Sequence, residues 1–223
     1  MTRPLVSLLD AFVPTWCISC KAVGSLFCVQ CRSRLRPREH LVSRAGFDGW
    51  AAFDLDADVA NLVLAYKDRG RTALAEYLAR QLLGPLSRFG GHGITLVAMP
   101  SSAAGVARRG FDSIGLLVRA LAKKSGLPMA KGLVSFRRQT ADQRGLAASD
   151  REFNLFESIQ ARHGHGRVLI VDDIVTTGAS VLECRRALVS AGFEVAGFIT
   201  IAETLLQKPI SLPNEGAQTL EWV

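Results

Sequence analysis

The most informative segment of this chain reads Val168-Leu-Ile-Val-Asp172-Asp173-Ile-Val-Thr176-Thr177-Gly178-Ala179-Ser180. Its first four residues are apolar and mostly β-branched, which is typical of a buried strand in a parallel sheet. Two adjacent carboxylates then interrupt the run, and a buried site does not tolerate them without partners. We therefore expect Asp172 and Asp173 to lie where the strand leaves the sheet, the edge at which open α/β sheets bind ligands.

A candidate anion-binding loop follows these aspartates. Its residues are small, so successive backbone N–H groups can approach one phosphate, and three hydroxyls add donors. The loop consists of Thr176, Thr177, Gly178, Ala179 and Ser180. A helix expected over 179–191 directs its positive dipole end to the same place, and the missing lysine after the glycine excludes a Walker A loop. Two carboxylates suit diol hydroxyls or a metal, so the whole suits a ribose 5-phosphate unit.

The segment resembles the phosphoribosyl pyrophosphate (PRPP) motif of type I phosphoribosyltransferases: four apolar residues, two acids, two variable apolar residues and Thr-Thr-Gly-Ala. The resemblance covers all of residues 168–180. It implies an α/β fold with a type I phosphoribosyltransferase-like core, a mostly parallel sheet flanked by helices. An ordinary strand–turn–helix with a polar turn is the alternative interpretation.

Length and hydropathy limit the classes of protein to consider. A chain of 223 residues fits one α/β domain with a small appendage. Although 48% of the residues are hydrophobic, no apolar run reaches the roughly 18–20 residues of a membrane span. The apolar segment 5–13 is too short for a signal peptide and no cleavage site follows it. We therefore expect a cytoplasmic protein with reduced cysteines.

Four of the five cysteines form two Cys-x-x-Cys pairs, Cys17 with Cys20 and Cys28 with Cys31. Paired knuckles of this kind present thiolates at the spacing that structural Zn²⁺ requires, and four thiolates leave no open position for catalysis. Two disulfides or a redox pair are the alternatives, but no secretion signal or thioredoxin-like context supports them. Cys184 is expected to be a packed small hydrophobe.

Positive charge is concentrated in the first fifth of the chain. Residues 1–44 hold seven Lys and Arg against two acids, and residues 45–223 hold twenty against eighteen. We expect 1–44 to form a basic zinc-binding module with its linker, and 45–223 a phosphoribosyltransferase-like domain. The basic face either binds nucleic acid phosphates or is solvated. Its residues are Lys21, Arg32, Arg34, Arg36, Arg38 and Arg44.

Hydrophobic periodicity and breaker residues predict the other elements. We expect helices over 56–68, 72–86 and 112–125, strands over 46–55, 94–99, 128–136 and 194–201, a linker over 34–44 and a small-residue loop over 103–109. The last twenty or so residues are expected to be a frayed tail or a partner-docking edge.

Three further groups of residues are site candidates. Phosphoribosyltransferases bind pyrophosphate after a strand like 94–99, and an arginine pair with a small loop suits an anion, although a plain strand–helix connection is the alternative. These candidates are Ser101, Ser102, Arg108 and Arg109. The long polar segment 137–151 matches a flexible loop that covers the reacting centre in this fold, with Arg137, Arg138, Arg144 and Arg151. Tyr66 and Lys67 are candidates in a turn that is also a common helix end.

The whole chain resembles the ComF/GntX-type (competence-protein-like) phosphoribosyltransferase family. The residues that carry the resemblance are the two Cys-x-x-Cys pairs, Tyr66-Lys67, Arg109-Gly110-Phe111, Gln143-Arg-Gly145-Leu, Arg151, Asn154 and the PRPP motif. Where the family usually reads Asn-Gln after Arg-Gly-Phe, this chain has Asp112-Ser113. Its Pro-Val-Pro-like loop is replaced by Ala-Met-Pro-Ser-Ser at 98–102.

The resemblance implies Mg²⁺-assisted displacement at the anomeric carbon of PRPP, with release of pyrophosphate and transfer to an unidentified acceptor. Asp172 and Asp173 would hold the ribose hydroxyls and the metal-bearing face, loop 176–180 the 5-phosphate, and loop 100–109 the pyrophosphate. The family also implies an association with DNA uptake.

Two interpretations from other classes stay open. The altered pyrophosphate side suits a PRPP-binding or DNA-associated regulator without turnover. The basic zinc module suits a single-stranded DNA binder, although few aromatic residues lie near it. A component of the competence machinery and a second copy of the chain, as a homodimer, are further partners that the sequence allows.

Overall fold

The computed structural model describes residues 16–90, 93–137 and 157–204. The strands in these ranges are β1 His40–Arg44, β2 Phe47–Asp54, β3 Ile94–Ala98, β4 Met129–Ala130, β5 Val134–Phe136, β6 Ile159–Ala161, β7 Arg167–Val175 and β8 Glu194–Glu203. Six of them form one sheet in the order β1-β2-β8-β7-β3-β4. Every pair in it is parallel except β1 with β2, so the expected mostly parallel sheet is confirmed.

Helices flank this sheet. Those in the described ranges are α1 Val29–Arg34, α2 Ala57–Lys67, α3 Leu74–Gln81, α4 Leu83–Ser87, α5 Ala103–Arg109, α6 Ser113–Ser125 and α7 Ala179–Ser190. Residues 168–171 of β7 are each at most 2% exposed. Because successive side chains of a strand point to opposite faces, both faces of the sheet are covered at β7. The expected α/β class is confirmed.

Two expectations about helices are wrong: one expected helix is divided in two, and one expected loop is a helix. The helix expected over 72–86 is α3 and α4, which meet at Leu82. Pro85 explains the break, because it has no N–H to donate to Gln81 and its ring crowds that carbonyl. The loop expected over 103–109 is helix α5, which Ser102 caps by accepting a hydrogen bond from Gly105 N at 3.1 Å. Its alanines favour a helix once both ends are capped.

Two other expectations fail where strand pairing decides the structure. The linker expected over 34–44 ends in β1, which pairs with β2 in the main sheet. The strand expected over 128–136 is two strands, since β4 joins β3 whereas β5 pairs with β6 in a separate antiparallel hairpin. Gly132, with φ of 57°, lies between them and turns the chain.

Candidate functional site

Asp172 and Asp173 lie within β7 and not beyond it. Pairing with β8 continues past them to Val175 and Glu203, whereas pairing with β3 stops at Ala98 and Val171. The two aspartates are 8% and 5% exposed. The expectation that both lie where the strand leaves the sheet is therefore wrong on the β8 side, and the shorter neighbour β3 alone leaves them at an edge.

Backbone N–H groups satisfy part of the hydrogen-bonding capacity of each buried carboxylate. Asp172 Oδ1 accepts a hydrogen bond from Asp173 N at 2.8 Å, and Asp173 Oδ1 accepts one from Ile174 N at 2.9 Å. Burial, and next the negative charge of Asp173, raise the pKa of Asp172 to about 8. The site therefore holds an acid that is protonated at neutral pH unless a cation or a hydrogen-bonding ligand stabilises its charge.

Lys67, the last residue of α2, supplies the positive charge of this site. Its Nζ forms an ion pair with Asp173 Oδ2. Burial disfavours the charged lysine, but the carboxylates of Asp173 and Asp172 outweigh burial and raise the pKa of Lys67. The structure thus brings the sequence candidate Lys67 to the two aspartates while leaving its side chain 35% exposed.

Tyr66 contributes to the same site through packing. Its side chain is fully buried, and its hydroxyl donates a hydrogen bond to Ser113 O at 2.5 Å. The ring centroid lies 6.3 Å from that of Phe111. Burial, followed by the charges of Asp112 and Asp173, raises the pKa of Tyr66, so it stays a neutral donor. Tyr66 therefore fixes the end of α2, and with it Lys67, against the start of α6.

Loop 176–180 connects β7 to α7 and has an open side. Thr176, Thr177 and Ser180 are exposed, whereas Gly178 is buried with φ of 88°. A Cβ at Gly178 would lie 2.6 Å from Cβ and Cγ of Arg44, so both the backbone and this close approach require glycine. No acceptor among the described residues takes the N–H of Thr177 or Gly178. Within the described part of the chain, loop 176–180 therefore keeps two N–H donors that no protein acceptor takes.

Arg44 lies beneath this loop, where sequence reasoning did not place it. It was expected in the basic face of residues 1–44, but its side chain is 8% exposed and donates from Nε to Thr176 O at 2.8 Å. Its Nη2 donates to Glu203 Oε2 at 2.6 Å. No local sequence signal indicates this position of Arg44, because Thr176 and Glu203 lie more than a hundred residues away in the sequence.

The candidates on the pyrophosphate side are mostly engaged with protein groups. Ser101 Oγ donates to Asp112 Oδ1 at 2.7 Å, and Ser102 caps α5. Arg108 pairs with Asp68 at 3.3 Å on the surface. Arg109 differs, because its buried Nε has no hydrogen-bond partner among the described residues and its charge acts on Lys67. Arg109 is therefore a second cation near Lys67, and its buried Nε is left without a partner among the described residues.

A cleft of about 1040 Å³ opens beside these residues. Residues 98–107 form one wall, and β4, β5 and the turn between them form the other. Most of the lining is apolar, with Asp112 and Arg137 as its charged side chains. Arg137 is thus placed at a ligand-sized cavity, whereas Arg138, Arg144 and Arg151 lie outside the described residues.

The four N-terminal cysteines converge. Their Sγ atoms all lie within 4.8 Å of one another, and Cys20 Sγ is 3.6 Å from Cys28 Sγ. Tetrahedral Zn²⁺ with Zn–S bonds of about 2.3 Å separates its sulfurs by roughly 3.8 Å. Burial opposes ionisation of Cys17, yet backbone N–H groups of residues 28, 20 and 19 lower its pKa to about 6. This cluster could hold a zinc ion.

The cysteine cluster is packed on the main domain. Cys17 and Cys31 are 0% and 4% exposed within the same hydrophobic core as the sheet. Asn61 of α2 donates to Ile18 O at 3.3 Å, and the ring of Phe27 meets Tyr77 of α3 edge-on at 5.2 Å. The fifth cysteine, Cys184, is buried in α7, as expected.

The fold places the chain in the α/β class, with a mostly parallel sheet flanked by helices. No protein-family model matches the chain. It is 30% identical over 192 residues to the DNA utilization protein YhgH of Salmonella typhi, covering 81% of this chain and 79% of that protein. It is also 33% identical to competence protein F of Haemophilus influenzae over 92 residues, 39% of this chain and 40% of that protein. The chain belongs to the competence protein F (ComF) family.

Solved structures similar to the chain are phosphoribosyltransferases. Orotate phosphoribosyltransferase from Aeropyrum pernix is 16% identical, with 78% of each chain covered and a TM-score of 0.36. Adenine phosphoribosyltransferase from Thermoanaerobacter pseudethanolicus is 14% identical, with 76% of this chain and 96% of that chain covered and a TM-score of 0.38. At these values the similarities carry no argument about activity.

None of the helices in the described ranges is both long and apolar enough to cross a membrane.

Proposed function

We propose that the protein is a Mg²⁺-dependent phosphoribosyltransferase that transfers phosphoribosyl from PRPP to an acceptor and releases pyrophosphate. The observation that carries this proposal is the pair of buried aspartates, with Lys67 bound to one of them, directly before a loop with free N–H donors. Carboxylates suit the ribose hydroxyls, and free N–H groups at the start of a helix suit the 5-phosphate.

The donor set fits Mg²⁺. This ion prefers carboxylate oxygens together with substrate phosphates. Burial raises the pKa of Asp172, and a divalent cation would remove the penalty for its ionised form. When bound with PRPP, Mg²⁺ would neutralise charge on the departing pyrophosphate.

The chain's own residues then have separate roles in this proposal. Asp172 and Asp173 hold the ribose hydroxyls and stabilise the positive charge that develops on the sugar ring as the bond to pyrophosphate breaks. Loop 176–180 holds the 5-phosphate. Arg109 is the cation on the pyrophosphate side, where Ser101, Ser102 and Arg108 are its neighbours, and Arg137 lies at the cleft. Arg138, Arg144 and Arg151 belong to the covering loop in the proposal.

A structural Zn²⁺ held by Cys17, Cys20, Cys28 and Cys31 is part of the proposal. The four sulfurs lie close enough together to support a tetrahedral site, and four thiolates would leave no position for a reacting molecule. The ion would fix the N-terminal knuckles on α2 and α3.

Calorimetric titration tests the proposed transferase. PRPP with Mg²⁺, ribose 5-phosphate and pyrophosphate with Mg²⁺ are each titrated into the zinc-loaded protein. We expect all three to bind, because they occupy the phosphate loop, the pyrophosphate side or both. Pyrophosphate release from PRPP is then measured across a panel of nucleobases and amines, and no release with any acceptor would count against turnover.

A PRPP-binding or DNA-associated regulator without turnover is the second candidate function. Asp112, which replaces the family's usual asparagine, accepts a hydrogen bond from Ser101 and places a carboxylate where an anion would leave. In that case PRPP binds but pyrophosphate does not. The variant Asp112→Asn distinguishes the two candidates, since it should leave a true pyrophosphate site intact and create one in the regulator.

A role in DNA uptake, in the cytoplasm and with single-stranded DNA as a partner, extends the proposal. Exposed basic side chains favour it, namely Lys21, Arg32, Arg34, Arg36 and Arg38. Fluorescence anisotropy with a labelled oligonucleotide at low and physiological salt tests it, because phosphate contacts make binding fall steeply with salt. Absent or salt-independent binding would exclude this partner. A homodimer, or a partner in the competence machinery, would be detected by light scattering of the purified protein and by pull-down.

A further inference from the structure

Arg44 is held by four hydrogen bonds beneath the phosphate loop, yet no sequence motif includes it. Nε donates to Thr176 O at 2.8 Å, and Nη2 donates to Glu203 Oε2 at 2.6 Å and to Thr204 O at 3.2 Å. Nη1 donates to Ser43 O at 3.0 Å. This one guanidinium therefore joins β1, the end of β8 and the start of the loop, which only a planar fork of donors can do.

The charge of Arg44 is already balanced within the protein. Glu203 is 6% exposed and pairs with it, and His40 Nε2 lies 2.8 Å from the other oxygen of Glu203. A ligand phosphate would therefore meet a neutral pair and not a free cation. If Arg44 affects phosphate binding, it does so by fixing the geometry of the loop.

Peptide geometry shows how this fixing works. In a trans peptide the C=O and the following N–H point in opposite directions, and no peptide bond in the described ranges is cis. Because the Thr176 carbonyl points to Arg44, the N–H of Thr177 points away from it, to the open side of the loop. The aliphatic part of the Arg44 side chain also packs against Gly178, so closely that a side chain at position 178 would have no room.

We propose that Arg44 is a positioning residue for the phosphate of the ligand. By holding the Thr176 carbonyl, Arg44 presents the Thr177 N–H to that phosphate. This inference rests on the proposed function, because it requires loop 176–180 to bind a phosphate.

The variant Arg44→Lys tests the role of the fork, because an ammonium keeps the charge but cannot bond Thr176 and Glu203 in the same arrangement. Calorimetry with ribose 5-phosphate is expected to show binding weakened by about tenfold or more, because the Thr177 N–H would no longer be oriented to donate to the charged phosphate. Binding of pyrophosphate with Mg²⁺ is expected to stay within twofold, since Arg44 does not touch that side. Arg36→Lys, at an exposed position of the same segment, is the matched control.

The outcomes distinguish a failure of the proposed function from a failure of the positioning role. If the wild-type protein does not bind ribose 5-phosphate, the proposed function fails and this inference fails with it. If the wild type binds but Arg44→Lys binds equally well, or loses both ligands equally, only the positioning role is overturned.

Glu203→Gln provides a second test that does not depend on the stability of the Arg44 variant. Glutamine keeps an acceptor for the guanidinium and removes the neutralising charge. If Arg44 acts by orienting loop 176–180, the affinity of Glu203→Gln for ribose 5-phosphate stays within about threefold of wild type. Binding tightened tenfold would show that Arg44 acts through its charge and would overturn the proposal.

Discussion

At the scale of single residues, the unusual feature is a pair of adjacent carboxylates in the interior of a sheet. Three groups make it tolerable: backbone N–H donors to both side chains, the ammonium of Lys67, and the proton that the raised pKa keeps on Asp172. The proton on Asp172 makes stability depend on pH, and the ammonium makes it depend on the side chain of Lys67. The pair therefore gives two testable consequences.

The first prediction concerns pH. Between about pH 4 and pH 8 the folded protein keeps a proton on Asp172 that the unfolded chain has released, because folding raises this pKa from 3.8 to about 8. At Asp172 the folded state binds more protons, so the contribution of this residue to the free energy of unfolding falls as pH rises through this window, by at most about 1.4 kcal/mol per pH unit. Urea unfolding of the Mg²⁺-free protein measures the slope.

In Asp172→Asn this contribution to the slope is expected to disappear, while the exposed control Asp58→Asn keeps it. Stability at pH 8 should therefore rise in Asp172→Asn relative to wild type. Identical slopes in the wild type and Asp172→Asn would mean that Asp172 is ionised in the folded protein throughout the range.

The second prediction concerns Lys67. Lys67→Met leaves Asp173 buried without its ion-pair partner, which costs about 1–3 kcal/mol of unfolding free energy at neutral pH. Adding Asp173→Asn should recover part of this loss, so the two changes are not additive. A double-mutant cycle by denaturant unfolding measures the coupling, with the exposed Lys123→Met as control. Additive effects would argue against the ion pair.

At the scale of elements, α7 connects loop 176–180 to the hairpin β5–β6. Its Glu183 accepts a hydrogen bond from Ile159 N at 3.1 Å, and its Arg186 donates to Ile159 O at 3.0 Å. Arg186 Nε also binds Glu183 at 2.7 Å. Two side chains of one helix thus hold both backbone groups of a residue in the hairpin that forms a wall of the cleft.

The third prediction tests this attachment. Glu183→Ala removes an acceptor with charge and leaves the Ile159 N–H without it, a loss of about 1.5–3 kcal/mol. Hydrogen exchange followed by mass spectrometry should show amides of β6 exchanging at least tenfold faster, with β7 unchanged. Val189→Ala, an exposed change on the same helix, should leave both strands as in the wild type. Unaltered exchange of β6 would show that the hairpin is held by other contacts.

Elements also show how far the sequence predicts the fold. The apolar run before Asp172, the amphipathic helix α6 that ends at Gly126 and the paired cysteines are local patterns, and the structure has the predicted strand, helix and cluster. The role of Arg44 could not be predicted from local patterns, because its partners Thr176 and Glu203 lie 132 and 159 residues away in the chain. Strand β1 was also not predicted, although it pairs with the neighbouring strand β2. Local patterns placed both aspartates where the strand leaves the sheet, which holds on the β3 side but not on the β8 side, since the unequal lengths of β3 and β8 are set by packing.

At the scale of the whole molecule, the cysteine cluster is continuous with the core of the main domain. The fourth prediction is that the purified protein contains one Zn²⁺ per chain, and that its removal with a strong chelator lowers the melting temperature. Folding and metal binding are coupled wherever the ligands converge only in the folded state. Elemental analysis and calorimetric melting measure both quantities.

Cys20→Ser should lower zinc content, whereas Cys184→Ala, which lies away from the cluster, should not. Full zinc content in Cys20→Ser, or a zinc-free protein with unchanged melting, would contradict a structural metal site.

The candidate site as a whole is assembled from β7, the loop after it, the end of α2 and the segment around α5. All four parts are proposed to hold one ligand, PRPP with Mg²⁺. This binding is tested by calorimetric titration of PRPP with Mg²⁺ into the wild-type protein and into the double variant Asp172→Asn with Asp173→Asn. The exposed pair Asp48→Asn with Asp58→Asn is the control of equal charge change. We predict binding by wild type and control and none by the first variant. Equal PRPP affinity in all three proteins would contradict the account.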